Sequence, residues 1–240
     1  MRKLLFLLLL SIPVGLFSQT DSLQQPKDSV KNKNLEIGIT VSPDYCFRTL
    51  KPSDDSKWIA ESRDSLEIPK IGYTVGINAE LKFKHNLHAS VGLLFSDCGE
   101  RTKKYSLESV PAGQKATEYS YIFHHYYLNI PVQADYYILT GKLKLFITAG
   151  ISANVFLNQK TTSITSFGNS DARVTSKTDS EFLRLNMAVL AGCGIKYPIN
   201  PKTNLLIEPI YRRSMTSIIN APVKSYLFSA GLVLGIYCNL

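Results

Sequence analysis

A strict alternation of apolar and polar side chains most constrains how this chain can fold. It is clearest between Tyr127 and Tyr137, where the sequence reads YLNIPVQADYY. The apolar positions are Leu128, Ile130, Val132, Ala134 and Tyr136, and the polar positions between them include Asn129, Gln133 and Asp135. A period of two residues predicts a β-strand with two chemically different faces. The same pattern recurs seven more times.

The eight alternating segments are separated by short and long connections in turn. The segments lie at about 35–42, 71–83, 87–95, 127–137, 143–155, 183–197, 205–212 and 226–237. Only a few residues follow the second, fourth and sixth, whereas the polar stretches 48–69, 97–118 and the one reaching Ser180 are expected to be irregular loops. This arrangement predicts an all-β fold: an eight-stranded antiparallel up-and-down transmembrane β-barrel over residues 35–240, with short periplasmic turns and four longer extracellular loops.

The first residues have the layout of an export signal. Arg2 and Lys3 precede an apolar run at 4–10, and small and polar residues follow up to Ser18. Residues 1–18 are therefore predicted to be a cleaved signal peptide. Residues 19–34 are polar and are expected to form a flexible periplasmic segment. No later apolar run approaches the roughly 18 residues of a spanning helix. The expected location is the bacterial outer membrane.

Charge distinguishes the two faces of the predicted strands. The face that carries most of the glycines also carries the charged residues Glu36, Glu80, Lys82, Asp135, Lys144, Arg184, Lys196, Glu208 and Arg212. An ion on the lipid face at mid-membrane costs about 2 to 4 kcal/mol, so this face is predicted to point inward. We expect these side chains to form a polar network that fills a lumen too narrow for a water column. Asp135 is expected to pair with Lys82, Lys144 or Lys196.

The apolar face carries aromatic residues at both ends. Tyr73 and Phe83 are ten residues apart on the second strand, which at a tilt near 45° corresponds to roughly the 25 Å between aromatic girdles. The predicted girdle residues are Tyr73, Phe83, Phe95, Tyr126, Tyr136, Tyr197, Tyr211 and Tyr226. This face therefore predicts outer-membrane lipid as the partner of the barrel wall.

Two prolines conflict with a continuous strand ladder. Pro131 and Pro209 lie inside predicted strands, although proline has no N–H to donate and a closed barrel has no free edge. Each is expected to mark a bulge or a local break in the ladder.

The sequence supports no cofactor and no metal ligand set. Its four cysteines are scattered, without a C-x-x-C pair, and its +8 net charge is not gathered into a basic patch interleaved with aromatics. No nucleic-acid partner is therefore expected, and no small-molecule ligand is indicated. Cys46 and Cys98 fall near the same end of their strands, which leaves a disulfide between them as an alternative.

No catalytic residue is singled out either. His124 and His125 are adjacent in one strand, so they point to opposite faces and cannot share a site. No local spacing selects a Ser/His/acid set. The leading interpretation is not an enzyme. It is an outer-membrane barrel with a plugged, non-conducting lumen, acting as an interaction or envelope-structural component. The alternatives are a rim-located enzyme on lipid or peptide and a soluble secreted barrel that holds an apolar ligand inside.

Three segments carry a resemblance to a known family. Residues 127–137, the Gly141 turn with LFITAGISAN at 145–154, and FSAGLVLGIY at 228–237 together resemble the PorT-like outer-membrane β-barrel family. The resemblance implies an eight-stranded barrel in a gram-negative outer membrane. The name-giving member of that family is associated with protein secretion across this membrane. An envelope or secretion-machinery protein is therefore the class of protein partner that the resemblance suggests.

Overall fold

The described residues form one antiparallel sheet. The computed structural model describes residues 35–106, 118–167, 170–177 and 182–240. The signal peptide and flexible segment predicted at 1–34 lie outside them. The strands are β1 (Leu35–Pro52), β2 (Glu67–Lys82), β3 (Leu87–Cys98), β4 (Glu100–Thr102), β5 (Tyr105–Ser106), β6 (Glu118–Thr140), β7 (Lys144–Phe167), β8 (Ser170–Lys177), β9 (Leu185–Asn200), β10 (Thr203–Ser214) and β11 (Val223–Asn239). A 3-10 turn (Asp54–Ser56) and the helix α1 (Lys57–Leu66) join β1 to β2.

Eight of these strands close into a ring in chain order. The ring runs β1, β2, β3, β6, β7, β9, β10 and β11, and it closes through antiparallel pairing of β1 with β11, from Glu36–Asn239 to Pro52–Val223. The predicted eight-stranded all-β barrel is confirmed. Three short turns, the start of β1 and the end of β11 share one end of the ring, which we call the turn end. The opposite end, where α1 lies, is the loop end.

The faces of the strands are assigned as predicted. Ile39, Ile71 and Ile77 are 68%, 73% and 53% exposed on the outer surface, while Thr40 and Asn78, which directly follow Ile39 and Ile77, are buried. The apolar face therefore points away from the barrel axis. A soluble barrel with an apolar lumen needs the opposite arrangement, so that alternative is wrong. No helix in the described part of the chain is long and apolar enough to cross a membrane.

Several segments predicted to be irregular loops are ordered. β1 continues to Pro52, α1 occupies part of 48–69, and β7 pairs with β8 in a hairpin from Lys160–Lys177 to Phe167–Ser170. In the β7–β8 hairpin most side chains on both faces are polar, so the alternation disappears from the sequence although the backbone ladder continues. Gly99, with φ 149°, lies at the bend between β3 and β4, in a backbone region that favours glycine.

The strand prolines interrupt the ladder on one side only. Pairing of β6 with β3 skips Pro131, and pairing of β10 with β9 skips Pro209, whereas their opposite neighbours pair without a break. The expected local breaks are confirmed. Pro43, which the sequence did not indicate as a strand proline, behaves in the same way between β1 and β11.

Two hydrophobic clusters fill parts of the interior. The turn-end cluster consists of Tyr137, Phe146, Leu190, Leu206, Ile210, Val233 and Tyr237. The loop-end cluster consists of Tyr127, Ile218 and Leu227, with Cys98, Phe156, Phe182 and Ile219 packed against it. Phe182 precedes β9, and Ile218 and Ile219 lie between β10 and β11, so residues outside the strands contribute to this cluster.

Candidate functional site

A buried lysine organises the polar network at the turn end. Lys196 of β9 is 1% exposed, and its Nζ lies 2.5 Å from Glu80 Oε2 and 3.1 Å from Glu36 Oε2. The other oxygen of Glu80 lies 2.6 Å from His88 Nδ1 and accepts a 2.9 Å hydrogen bond from the Tyr137 hydroxyl. Glu36 and Glu80 are cross-strand partners on β1 and β2. The network therefore ties both strands to β9 across the lumen.

A second network surrounds Asp44 further along β1. Its carboxylate accepts hydrogen bonds from Ser42 at 2.7 Å, Thr74 at 2.5 Å and the Arg212 guanidinium at 3.0 Å. Beside it lies a cavity of about 70 Å³ with Asn154 among its lining residues. A space of that size is sufficient for a few water molecules.

A third network fixes α1 to the loop end. Arg48 of β1 is paired with Asp64 and, at 2.5 Å, with Glu67. Arg63 of α1 lies 2.7 Å from Glu67 and 3.6 Å from Glu100. Burial lowers the pKa of the Arg63 guanidinium, but the hydrogen bond and charge of Glu67 outweigh it and raise that pKa above its ordinary value. Charge pairing therefore attaches the helix to β1, β2 and β4.

The two adjacent histidines occupy separate environments, as predicted. His124 Nδ1 lies 2.8 Å from Asp97 Oδ2 and 2.9 Å from Lys70 Nζ, and its side chain is partly exposed. His125 is buried, packs against Phe182 at a ring distance of 5.2 Å, and its Nε2 lies 3.4 Å from Glu100 Oε2. Within the described ranges, no three His, Cys, Asp or Glu side chains lie together as a metal site.

Four of the nine predicted lumen residues lie in these networks. Glu36, Glu80 and Lys196 form the turn-end network together, whereas Arg212 belongs to the Asp44 network. Asp44 lies two residues beyond the predicted first strand, which ends at Ser42, and so is not among the predicted lumen residues. Continuing the alternation through the interior-facing positions of β1 to its observed end would have found it.

The other five predicted lumen residues take no part in an ion pair within the described chain. Asp135 and Glu208 are buried, and Lys144 is partly buried, but none forms a salt bridge there. Asp135 feels the charge of Lys196 without a direct contact, so its expected pairing with a lysine stays a prediction. Lys82 is exposed at the end of β2. Arg184 is a correction: it is exposed at a bend before β9 begins, so the strand alternation does not direct it inward.

The predicted girdle residues all lie on the outer surface, and their role as membrane belts remains a proposal. Tyr73 is 44% exposed and its ring centre lies 6.2 Å from that of Phe95, which stacks on Tyr126 at 5.7 Å. Phe47 and Phe228, which are not among the predicted girdle residues, extend the aromatic surface through an edge contact at 6.1 Å.

The four cysteines are free thiols. Cys46 and Cys98 are not joined by a disulfide, and Gly72 of β2 lies between their strands. A Cβ added at Gly72 would come within 3.0 Å of Cys46 Sγ. The disulfide considered from the sequence is therefore not formed in this structure.

Comparison with known proteins gives one family match and several similar structures. The family model "Outer membrane protein beta-barrel domain" matches residues 17–220. Neisserial surface protein A is 14% identical, with 86% of this chain and 97% of that one covered and a TM-score of 0.46. OprG from Pseudomonas aeruginosa is 12% identical, with 85% of this chain and 95% of that one covered and a TM-score of 0.47. The outer membrane protease OmpT from Escherichia coli is 11% identical, with 88% of this chain and 98% of that one covered and a TM-score of 0.40. No significant match was found among curated proteins.

Proposed function

The chain belongs to the outer membrane protein β-barrel domain family, and we propose that it acts in the envelope as a non-conducting interaction or structural component. It is a bacterial outer-membrane β-barrel protein. In this proposal the lumen is closed. The protein works through contacts at its ends and outer surface, and not by transport through the barrel.

Successive side-chain layers along the lumen carry this proposal. At the turn end the Lys196 network and the turn-end cluster are interleaved, because the Tyr137 hydroxyl donates to Glu80 and the Tyr237 ring lies 4.5 Å from Lys196 Nζ. The Asp44 network and the loop-end cluster follow toward the loop end. The cavity beside Asp44 holds only about 70 Å³. An ion crossing the barrel would have to shed its hydration among apolar side chains in both clusters, which is strongly unfavourable.

Purified protein is expected to give no porin-like conductance steps in planar bilayers. Heat-modifiable migration of the reconstituted sample would show that the barrel is folded. A variant with Tyr137, Phe146 and Tyr237 replaced by alanine removes three rings of the turn-end cluster and supplies the matched comparison. Conductance of the unmodified protein at porin level would contradict the closed lumen.

The orientation of the barrel is part of the proposal. Short turns at the periplasmic side and long connections outside are usual for barrels of this class. The resemblance to the PorT-like family supports an envelope or secretion-machinery protein as partner. Pull-down from envelopes with a tag in the β7–β8 connection, compared with a tag at the mature N-terminus, would identify the end that binds it. Failure of both tags to enrich any protein over a tagged unrelated barrel would contradict a protein partner.

A rim enzyme acting on lipid or peptide is the second candidate, and the Asp97–His124 contact is the observation that favours it. A carboxylate at 2.8 Å can orient an imidazole as a general base. However, Lys70 Nζ contacts the same Nδ1 atom, and a hydrogen bond donated by lysine requires the proton to be on Nε2 instead. The test needs a measured envelope hydrolase activity. Loss of that activity on replacing His124 with alanine would support a rim enzyme. Retention of the activity in the His88, His124 and His125 alanine variants would exclude one.

A further inference from the structure

Two lysines face each other across adjacent strands on the outer surface of the barrel. Lys51 of β1 is the register partner of Lys224 of β11, and both side chains are exposed. Like charges directly opposite in an antiparallel pair destabilise the sheet. The juxtaposition therefore suggests that an anion lies between them.

No acidic side chain of the described chain neutralises this pair. None of the described salt bridges involves Lys51 or Lys224, and Asp54, the nearest acid in sequence to Lys51, is paired with Lys57 at 3.0 Å. The ammonium group of Lys51 lies 5.2 Å from the centre of the Tyr226 ring. This cation–π contact holds one of the two charges on the outer face.

Aromatic residues on the same face place the lysines relative to the membrane. Phe47 and Phe228 are register partners. Phe47 lies four residues before Lys51 on β1, and Phe228 lies four residues after Lys224 on β11, which is about 13 Å along each strand. Tyr211 packs beside Phe228 with a ring distance of 6.2 Å. Aromatic belts lie at the boundary between hydrocarbon and headgroups, so the lysines extend to headgroup depth.

From this arrangement we propose that Lys51 and Lys224 bind a phosphate group of a phosphorylated glycolipid headgroup in the outer leaflet. The exposed Arg213, register partner of Phe228, is a further cation on this side of the barrel. Two ammonium groups can share the oxygens of one phosphate as donors. The assignment rests on the proposed orientation of the loop end, but not on a closed lumen.

The test measures lipid binding by the folded full-length protein in neutral detergent. Bis-phosphorylated lipid A and its dephosphorylated form are titrated by native mass spectrometry. Replacing either lysine with alanine is expected to weaken binding of the phosphorylated lipid about fivefold, and replacing both on the order of 20-fold. The matched control is the Lys82→Ala/Lys84→Ala variant, which loses the same charge at the turn end and is expected to bind normally.

Each outcome decides for or against the site. Equal binding of the dephosphorylated lipid, or an equal loss in the control variant, would overturn the proposal. Inorganic phosphate competing at millimolar concentration would indicate a site for free anions and would overturn the assignment to a lipid. Because binding in detergent does not depend on topology, accessibility of a tag in the β7–β8 connection on intact cells tests the orientation separately.

Discussion

Replacing Lys196 with methionine is expected to lower the free energy of unfolding by about 3 to 5 kcal/mol. The lysine is 1% exposed and is the cation shared by Glu36 and Glu80. Methionine keeps much of the side-chain volume, but it leaves the carboxylates of Glu36 and Glu80 without their shared positive charge. Glu80 is buried in the lumen, where water cannot replace the lost charge, and the Glu36 side chain is only 14% exposed. The barrel is therefore expected to unfold at a lower urea concentration.

The measurement is the fraction of folded, heat-modifiable protein in lipid vesicles as a function of urea. Lys82→Met is the matched control because Lys82 is exposed and forms no ion pair within the described chain. The unfolding free energy of this variant should change by no more than about 0.5 kcal/mol. Adding Glu36→Gln and Glu80→Gln to Lys196→Met should recover part of the loss, since the uncompensated charges are then removed. A Lys196→Met midpoint equal to that of the Lys82 control would contradict the structural role of this network.

The barrel architecture could be predicted because a lipid-facing wall leaves a direct mark on the sequence. In the membrane-facing part of β2, apolar side chains meet lipid and polar or small ones fill the lumen, so a period of two runs through Ile71, Ile77 and Asn78. The same contrast disappears in the β7–β8 hairpin, where most side chains on both faces are polar. For that reason the alternation does not reveal this hairpin, and the charged segment that forms α1 carries no period of two either.

Partner choice inside the lumen could be predicted only in part. The alternation along each strand identifies both Lys196 and Asp135 as interior residues. It does not reveal which opposite charges meet across the barrel. Lys196 reaches Glu36, a residue 160 positions away in sequence, whereas Asp135 has no ion pair within the described chain. That difference depends on the register and stagger of all eight strands, which follow from the closed ladder and not from any one segment.

Replacing Gly76 with alanine is expected to cost about 3 kcal/mol of unfolding free energy, at the upper end of typical overpacking effects. Gly76 faces the lumen from β2, opposite Leu94 of β3. An added Cβ would overlap the backbone carbonyl oxygen of Leu93 and lie 2.7 Å from Leu94 Cα. Backbone atoms in a paired strand cannot turn aside as a flexible side chain can, so β2 and β3 would have to separate locally.

Gly141→Ala is the matched control for this substitution. Gly141 lies in the turn between β6 and β7, where an added Cβ meets no atom within 4 Å, so a change within about 0.5 kcal/mol is expected. The same urea titration in vesicles compares the two variants. A Gly76→Ala barrel as stable as the Gly141 variant would mean that β2 and β3 are not packed this closely. The narrow lumen and the tight side-chain layers that support a non-conducting barrel would then lose their geometric basis.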